Sequence, residues 1–284
     1  MPDYVDLKCR AFACRIGGNG TGGRHREGYN GVWSLTPTGQ TDSIFVPEYA
    51  GLNLEHYFDG WHSGGREIFF EPRVAPMEVE LPDGRSVLLR QAATPFWGAE
   101  SKSRFTLHEP NRIQLDFETI PSREVFNGGT MGVFWASYMN GPSDNAIYFT
   151  GQDGAGNLGV QRHSSPKHGD ASSVRGTGDS LSLHISPEQR DKLFSSVTPV
   201  RWSRPYYWAR WRDTAYLCVF STPNTLRFAM SPSGGGPGNP AWDYQILVPG
   251  YRVRQTYSLT VHLVVDTWQG EAWIHRTAAQ LLAG

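Results

Sequence analysis

The sequence predicts an all-β protein, a large antiparallel two-sheet sandwich with one or two short helices. The 284 residues include 32 glycines and 19 prolines, and these turn formers are spread along the whole chain. Aromatic residues make up 13% of the chain and occur in short runs between the turn formers. Frequent turn residues between aromatic and β-branched runs are typical of all-β sandwiches and barrels.

Three strand regions are predicted in the first half of the chain. Residues 77–90 have the pattern of a hairpin, because Pro82 and Asp83 suit a tight turn between two arms. Residues 112–119 alternate between apolar and polar side chains, which predicts a half-buried strand. Residues 132–139 form an apolar and aromatic run that predicts a more fully buried strand.

The second half of the chain predicts two short helices and two strands. Residues 186–194 begin with a capping-box pattern, in which Ser186 is the N-cap and a proline follows it. Residues 215–220 predict a buried strand, and residues 256–268 alternate as a half-buried one. The C-terminal residues 271–284 predict a short helix.

Size and charge limit the classes of function. A chain with 39% hydrophobic residues and no linker-like segment predicts a single β-sandwich domain over 1–284. The net charge of −1 and the absence of a basic run argue against a nucleic-acid partner. Arginine outnumbers lysine by 22 to 4, which favours acidic ligands, although a GC-rich genome explains the same bias.

Cysteine usage and hydropathy indicate the compartment. Three cysteines are too few and odd in number for a disulfide framework, so we expect reduced thiols. The N-terminal segment has no apolar stretch typical of a signal peptide, and the longest apolar run is too short to span a bilayer. We therefore expect a cytoplasmic protein without membrane contact, and the sequence leaves a homo-oligomer open.

The stretch GLNLEHYFDGWHSGG at 51–65 is the first candidate site, since eight of its residues hold two carboxylates, two imidazoles and three aromatic rings. If this stretch is a strand, Glu55 and His56 point to opposite faces. One carboxylate and one imidazole facing a cleft would form an acid/base pair. The alternative is that the carboxylates satisfy local backbone groups while Tyr57, Phe58 and Trp61 pack.

The loop QRHSSPKHGD at 161–170 is the second candidate, because it carries His163 and His168 among polar residues. Loops on a β scaffold often carry functional residues, although exposed histidines are usually idle. Proton transfer or substrate contact is one interpretation. The other is a metal site in which a third ligand such as His56 joins these two histidines.

The segment 201–216 is the third candidate. Read as a strand, it places Trp208 and Arg210 on one face and Tyr207 on the other. Aromatic rings and guanidinium groups on one face form a platform for sugars and their carboxylates, and similar platforms bind single-stranded nucleic acid. The alternative is a strand covered by cation–π pairs.

The segment SPSGGGPGNPAWDYQ at 231–245 is the fourth candidate. Its glycines follow no phosphate-binding order, so a nucleotide site is disfavoured. Asp243, between two aromatic residues, either accepts a sugar hydroxyl or caps the loop. Cys218 lies in an apolar run, which favours packing over nucleophilic chemistry.

Three segments, GLNLEHYFDG, GVFWASYMNGPSDNAIYFTG and RFAMSPSGGGPGNPAWDY, resemble bacterial β-rich proteins related to the galactose-mutarotase-like carbohydrate-active β-sandwiches. The resemblance implies a supersandwich with a concave, sugar-binding face. Enzymes of that superfamily include epimerases and domains of polysaccharide lyases and glycoside hydrolases. Its mutarotases use a histidine acid and a glutamate base, and this sequence has candidates for both.

We therefore expect a carbohydrate-active enzyme that applies acid/base chemistry to a sugar or a uronate-containing oligosaccharide, as a lyase or hydrolase. The expected catalytic residues are His163 or His56 as base, Tyr207 as acid and Glu55 as orienting group. Arg210 would bind the substrate carboxylate, and the other expected substrate contacts are Trp208, His168, Trp61 and Asp243.

The expected partner is a carbohydrate ligand, and no cofactor is required by this chemistry. A divalent metal held by His163, His168 and His56 remains open. Three alternatives also remain: a non-catalytic carbohydrate-binding protein, a sugar epimerase or mutarotase, and an assembly protein that uses the aromatic strands as an interface.

Overall fold

The computed structural model of the protein describes residues 3–62 and 64–283. Three N-terminal strands, β1 (Tyr4–Lys8), β2 (Phe12–Gly17) and β3 (Gly31–Pro37), form a small antiparallel sheet, and fifteen further strands form one large sheet. The prediction of an all-β fold is therefore confirmed. The strands of the large sheet are β4 (Asn53–Phe58), β5 (Glu78–Asp83), β6 (Ser86–Gln91), β7 (Ala99–His108), β8 (Arg112–Pro121), β9 (Thr130–Ala136), β10 (Ile147–Gln152), β11 (Leu158–His163), β12 (Ser173–Gly176), β13 (Val197–Trp202), β14 (Tyr206–Trp211), β15 (Thr214–Ser221), β16 (Thr225–Ser231), β17 (Ala241–Pro249) and β18 (Tyr257–Thr267).

The large sheet folds over itself and so supplies both layers of a sandwich. Its strand order is β4-β9-β17-β16-β12-β13-β10-β14-β15-β18-β8-β7-β6-β5, with β11 paired to β10. Strands β8 and β9 are far apart in this order, yet the rings of Phe117 and Trp135 lie 4.7 Å apart. The hydroxyl groups of Tyr57 on β4 and Thr119 on β8 also form a hydrogen bond of 2.9 Å. The main core therefore lies between the two halves of one sheet.

Alternation in the sequence accounts for the strands that line this core. On β8, Ile113, Leu115 and Phe117 are buried, and the residues between them are more exposed. The same pattern holds on β18, and β9 and β15 are buried on both faces, as their apolar runs predict. Strands β12 and β13 run parallel, whereas the other described ladders are antiparallel.

The helices agree with the sequence at one of two predicted places. Helix α3 (Glu271–Ala283) confirms the C-terminal prediction, and two single-turn helices, α1 (Arg66–Phe69) and α2 (Glu71–Val74), follow β4. At 186–194 the prediction was wrong, because only a 3-10 turn at Pro187–Gln189 forms and Ser186 makes no capping bond. This segment lies in the 177–196 loop, whose apolar side chains pack on the sheet and override the local signal. Among the described residues, no helix is long and apolar enough to cross a membrane.

The face of β4, β9, β17 and β16 that points away from the main core is covered only in part. Phe194 from the 177–196 loop stacks on Phe58 of β4 at 4.0 Å. Helices α1 and α2 pack beside the same strand. A cavity remains between this loop, the two short helices and the sheet face.

Candidate active site

The cavity has a volume of about 310 Å³ and is lined by carboxylates, imidazoles, cations and aromatic rings. Four sequence-predicted residues come together in it: Glu55, His56, His168 and Asp243. They derive from three distant parts of the chain, residues 51–65, 161–170 and 231–245. The wall also includes Tyr29, Tyr49, Arg66, Phe69, Phe70, Arg73, Ala136, Tyr138, Lys192, Leu193, Ser231, Gly234 and Ala241.

A β-bulge at Glu55 places it on the same side as His56. In the ladder with β9, Leu54 pairs with Trp135 and His56 with Phe134, so Glu55 is the extra residue. Strict alternation would have put Glu55 and His56 on opposite faces, and that expectation is corrected here. Because the bulge adds one residue, Leu54 and Tyr57 both face the main core while Glu55 and His56 both line the cavity.

Glu55 is buried and held by two partners. The Tyr138 hydroxyl donates a hydrogen bond to its Oε1 atom, and Arg73 Nη1 lies 3.4 Å from the same atom. Arg73 is itself fixed, since its Nε donates to the Gly28 carbonyl at 2.7 Å and its guanidinium lies 3.8 Å from the Tyr29 ring centre. Burial raises the pKa of Glu55, and the charge of Arg73 and the Tyr138 hydrogen bond oppose that rise.

Asp243 is the second carboxyl group in the cavity. Its Oδ1 atom accepts a hydrogen bond of 3.1 Å from the Ser137 backbone, whereas its buried Oδ2 atom has no partner. Burial and the nearby charge of Glu55 raise the pKa of Asp243 well above its usual value of 3.8. Asp243 forms no ion pair with any residue that the structure describes, and its burial favours the protonated acid.

His56 contributes a neutral imidazole. Its ring lies between those of Phe69, at 4.3 Å, and Phe134, at 4.7 Å, and neither ring nitrogen has a hydrogen-bond partner among residues 3–62 and 64–283. Burial, with the charges of Arg73 and Lys192, lowers the pKa of His56 well below its usual value. Both nitrogens are buried although the ring lines the cavity, and unpartnered buried polar atoms of this kind are unusual.

His168 stands at the exposed rim of the cavity. Its Nδ1 atom lies 3.1 Å from the Ser231 hydroxyl, and Lys192 lines the same cavity from the 177–196 loop. Burial of one part of the ring lowers the pKa of His168. The loop at 161–170 therefore contributes one of its two histidines to the site.

The remaining polar residues of the 51–65 stretch hold a turn in place. Asp59 is buried and accepts hydrogen bonds from the backbone of Trp61 (2.8 Å), His62 (3.0 Å) and Asn127 (2.7 Å). The His62 ring lies 2.6 Å from the second Asp59 oxygen. Trp61 stacks on His184 at 4.0 Å and is 42% exposed, but it does not line the cavity. Ser63 of this stretch lies outside the described residues.

Two residues predicted as catalytic lie elsewhere. Tyr207 is fully buried in the main core, where its hydroxyl donates to the Trp242 carbonyl at 3.2 Å. His163 ends β11, is 5% exposed and has a buried, unpartnered Nε2 atom. Burial lowers the pKa of His163 to about 4. Neither side chain lines the cavity, so the acid and base predicted at these positions are not beside Glu55.

The aromatic face predicted on β14 is closed by the C-terminal helix. Trp208 is 1% exposed, packs against α3 and meets the ring of His275 at 5.2 Å. Arg210 is exposed, with its guanidinium 5.8 Å from the Trp268 ring centre. The predicted alternation along this strand is correct, but the expectation of an open sugar platform is corrected because Ile274 and Ala278 cover it.

Metal ligands do not cluster in the part of the chain that the structure describes. No group of three or more His, Cys, Asp or Glu side chains there is arranged to hold a metal ion. His56, His163 and His168 therefore do not form the shared ligand set that the sequence left open.

Sequence reasoning missed Arg73 and Tyr138, which hold Glu55. Arg73 lies in a four-residue helix, and Tyr138 lies within residues 132–139, whose apolar run predicts only a buried strand. A single sequence gives no signal for either, because their proximity to Glu55 depends on how β4, β9 and α2 pack.

The sequence matches no protein-family model and no curated protein. In three dimensions the chain is similar to a proposed aldose 1-epimerase from Escherichia coli K12, at 8% identity and a TM-score of 0.54 over 93% of this chain and 99% of that one. It is also similar to an α-N-acetylgalactosaminidase from Bifidobacterium bifidum in complex with GalNAc, at 13% identity and a TM-score of 0.55. That match covers 98% of this chain and 39% of the galactosaminidase. The resemblance to galactose-mutarotase-like β-sandwiches is thus confirmed at the level of the fold.

Proposed function

We propose that this protein is an enzyme that binds a sugar in the 310 Å³ cavity and moves protons to and from it. The observation that carries the proposal is the pairing of two buried carboxyl groups, Glu55 and Asp243, in one cavity with a neutral imidazole, His56. Carboxyl groups of raised pKa are typical of general acid/base sites. Cavities of this size and mixed lining are typical of small-ligand sites.

The surroundings of the two carboxyl groups support a different role for each. Glu55 has Arg73 and Tyr138 as partners that stabilise its charged form, so it is the proton acceptor. Asp243 has one backbone donor, a buried free oxygen and the charge of Glu55 nearby, so it keeps its proton and is the donor. The exposed rim residue His168 would bind a sugar hydroxyl group, and the His56 ring would form part of the cavity wall.

The cations of the cavity favour an acidic sugar. Arg73 pairs with Glu55 and Lys192 pairs with Asp191 at 3.0 Å, which leaves Arg66 as an additional positive charge in the lining. Elimination beside a uronate carboxylate needs a base, a cation that stabilises the enolate and an acid for the leaving oxygen. Glu55, Arg66 and Asp243 would supply these three groups. We therefore favour a lyase acting on a uronate-containing oligosaccharide, while hydrolysis and epimerisation would use the same carboxyl pair.

The test is turnover of a sugar panel by variants of the two carboxyl groups. Uronate oligosaccharides, neutral oligosaccharides and aldoses would be followed by NMR for unsaturated products, new reducing ends and anomer exchange. We expect Glu55→Gln and Asp243→Asn each to lower kcat by about 100-fold or more. The matched control is Glu80→Gln, and we expect this variant to keep full activity. Glu80 lies on a strand distant from the cavity, where its carboxylate forms an ion pair with Arg90.

Two outcomes would contradict the proposal. Wild-type turnover that survives in both Glu55→Gln and Asp243→Asn would show that the chemistry lies elsewhere. Sugar binding by the wild type without turnover of any panel member would favour the non-catalytic carbohydrate-binding alternative.

A further inference from the structure

Three arginines stand side by side on adjacent strands of the large sheet. In the ladder between β12 and β16, Arg175 pairs with Arg227, and in the parallel ladder between β12 and β13 it pairs with Arg201. Residues paired across a ladder share a face, so the three side chains lie on one face. We call Arg227, Arg175 and Arg201 the arginine row.

The row has few anionic partners. Arg227 is buried and forms a forked pair with Asp179, at 2.7 and 3.3 Å. Arg201 donates to the carbonyl groups of Gly176 and Asp179 at 3.4 and 3.2 Å. Arg175, in contrast, forms no ion pair within residues 3–62 and 64–283, and its buried Nε atom has no hydrogen-bond partner.

Neighbouring like charges normally destabilise a sheet unless something offsets them. Burial and the charges of Arg227 and Arg201 lower the pKa of Arg175, whereas Asp179 opposes this. Asp179 neutralises one of the three charges, so the row keeps an excess of positive charge. Planar guanidinium groups in a row suit the paired oxygen atoms of a carboxylate or a sulfate.

The row lies on the same sheet face as the cavity. Along β16, Arg227, Ala229 and Ser231 alternate onto one face, and Ser231 lines the cavity. Ser231 lies four positions along the strand from Arg227, a distance of about 13 Å. The 177–196 loop packs on Ala229 between them, so the row is separate from the cavity but aligned with it.

We propose that Arg175 and Arg201 form an anion-binding subsite for a carboxylate or sulfate group on a sugar unit remote from the reacting one. The subsite would make the protein prefer acidic oligosaccharides over single sugars. The identity of the ligand as a sugar rests on the proposed function, whereas the binding of the anion does not.

The first test is a thermal-unfolding titration with sodium sulfate against sodium chloride at equal ionic strength. We expect sulfate to raise the Tm of the wild type by several degrees more than that of Arg175→Gln or Arg201→Gln. Sulfate also stabilises proteins generally, so the difference between variants is the readout. The control is Arg85→Gln, an exposed arginine in the β5–β6 turn, which should keep the full wild-type response.

The Tm of Arg175→Gln, measured without sulfate, separates a binding role of Arg175 from a structural one. If Arg175 serves an anion, Arg175→Gln relieves like-charge repulsion and is at least as stable as the wild type without sulfate. A structural arginine predicts the opposite, a lower Tm without sulfate and an unchanged sulfate response, and that result would overturn the proposal. A wild-type sulfate response equal to that of both arginine variants would overturn it too.

The second test uses a galacturonate hexamer and its fully methyl-esterified form, which differ in charge but not in length. We expect Arg175→Gln to weaken binding of the acidic hexamer about 10-fold, with little effect on the ester. Equal affinity of wild type and Arg175→Gln for the acidic hexamer would contradict a sugar-borne anion. Because neither test needs turnover, failure of the subsite and failure of the proposed chemistry at Glu55 give different results.

Discussion

At the scale of single residues, acid/base chemistry in the cavity depends on how Glu55 is held. A buried glutamate without partners would stay protonated and could not act as a base. Here burial raises the pKa of Glu55, while the charge of Arg73 and the Tyr138 hydrogen bond oppose that rise and favour its ionised form. The sequence predicted Glu55, His56, His168 and Asp243 as site residues, but it could not predict these two supports, which are distant in the chain.

Replacing Tyr138 by phenylalanine should move the pH profile of the enzyme. The Tyr138 hydrogen bond lowers the pKa of Glu55, so its loss raises that pKa. A base of higher pKa is protonated up to a higher pH, and we therefore expect the acidic limb of kcat/KM to shift to higher pH.

The control for this profile is Tyr206→Phe. The Tyr206 hydroxyl bonds to His275 on α3, away from the cavity. An unchanged acidic limb in Tyr138→Phe, or an equal shift in both variants, would show that Glu55 is not the group that titrates.

At the scale of elements, the turn after β4 links the site to the 177–196 loop.

Alternation in the sequence predicted strands such as β8 and β18 well, because one face of each packs on the core. It failed at β4, because the bulge depends on the register with β9. The capping box at Ser186 failed for a related reason, since packing of the loop outweighs a local cap.

Gly60 is the tightest point of that link. Its φ angle is +81°, and a Cβ atom there would lie 2.1 Å from the His184 carbonyl oxygen. We expect Gly60→Ala to lower the free energy of unfolding by about 1–3 kcal/mol, measured by chemical denaturation. Gly84→Ala is the matched control, since a Cβ atom at Gly84 would have no neighbouring atom within 4 Å. Equal stability of the two variants would disprove this role.

At the scale of the whole molecule, the cavity exists because the large sheet brings distant segments together. Composition and turn spacing predicted the all-β class, but strand order and the fold of one sheet into two layers depend on long-range pairing. For the same reason, the sequence did not predict that Trp208 is buried. Its own segment does not indicate that α3 covers it.

Buried histidines should make the fold sensitive to acid. The pKa of His163 is about 4 in the folded protein against a usual 6.5, so between these pH values the unfolded chain takes up a proton that the folded chain does not. The contribution of neutral His163 to the free energy of unfolding is fully present above pH 6.5 and is lost as the pH falls toward 4. We expect about 2 kcal/mol to be lost from His163 alone between pH 7.5 and 5.

This loss can be measured by urea unfolding of the wild type and His163→Gln at both pH values. The variant should lose about 2 kcal/mol less than the wild type over this range. A variant with the full wild-type loss would assign the acid sensitivity to other groups.

The central claim is that Glu55 and Asp243 form an acid/base pair in one cavity. Its most direct test is a carboxyl ¹³C NMR titration of both residues in the wild type and in Glu55→Gln. We expect Glu55 and Asp243 to titrate above their usual pKa values of 4.5 and 3.8. We also expect the pKa of Asp243 to fall once the charge of Glu55 is removed. Titration of both groups at or below their usual values, with no change of Asp243 in the variant, would contradict it.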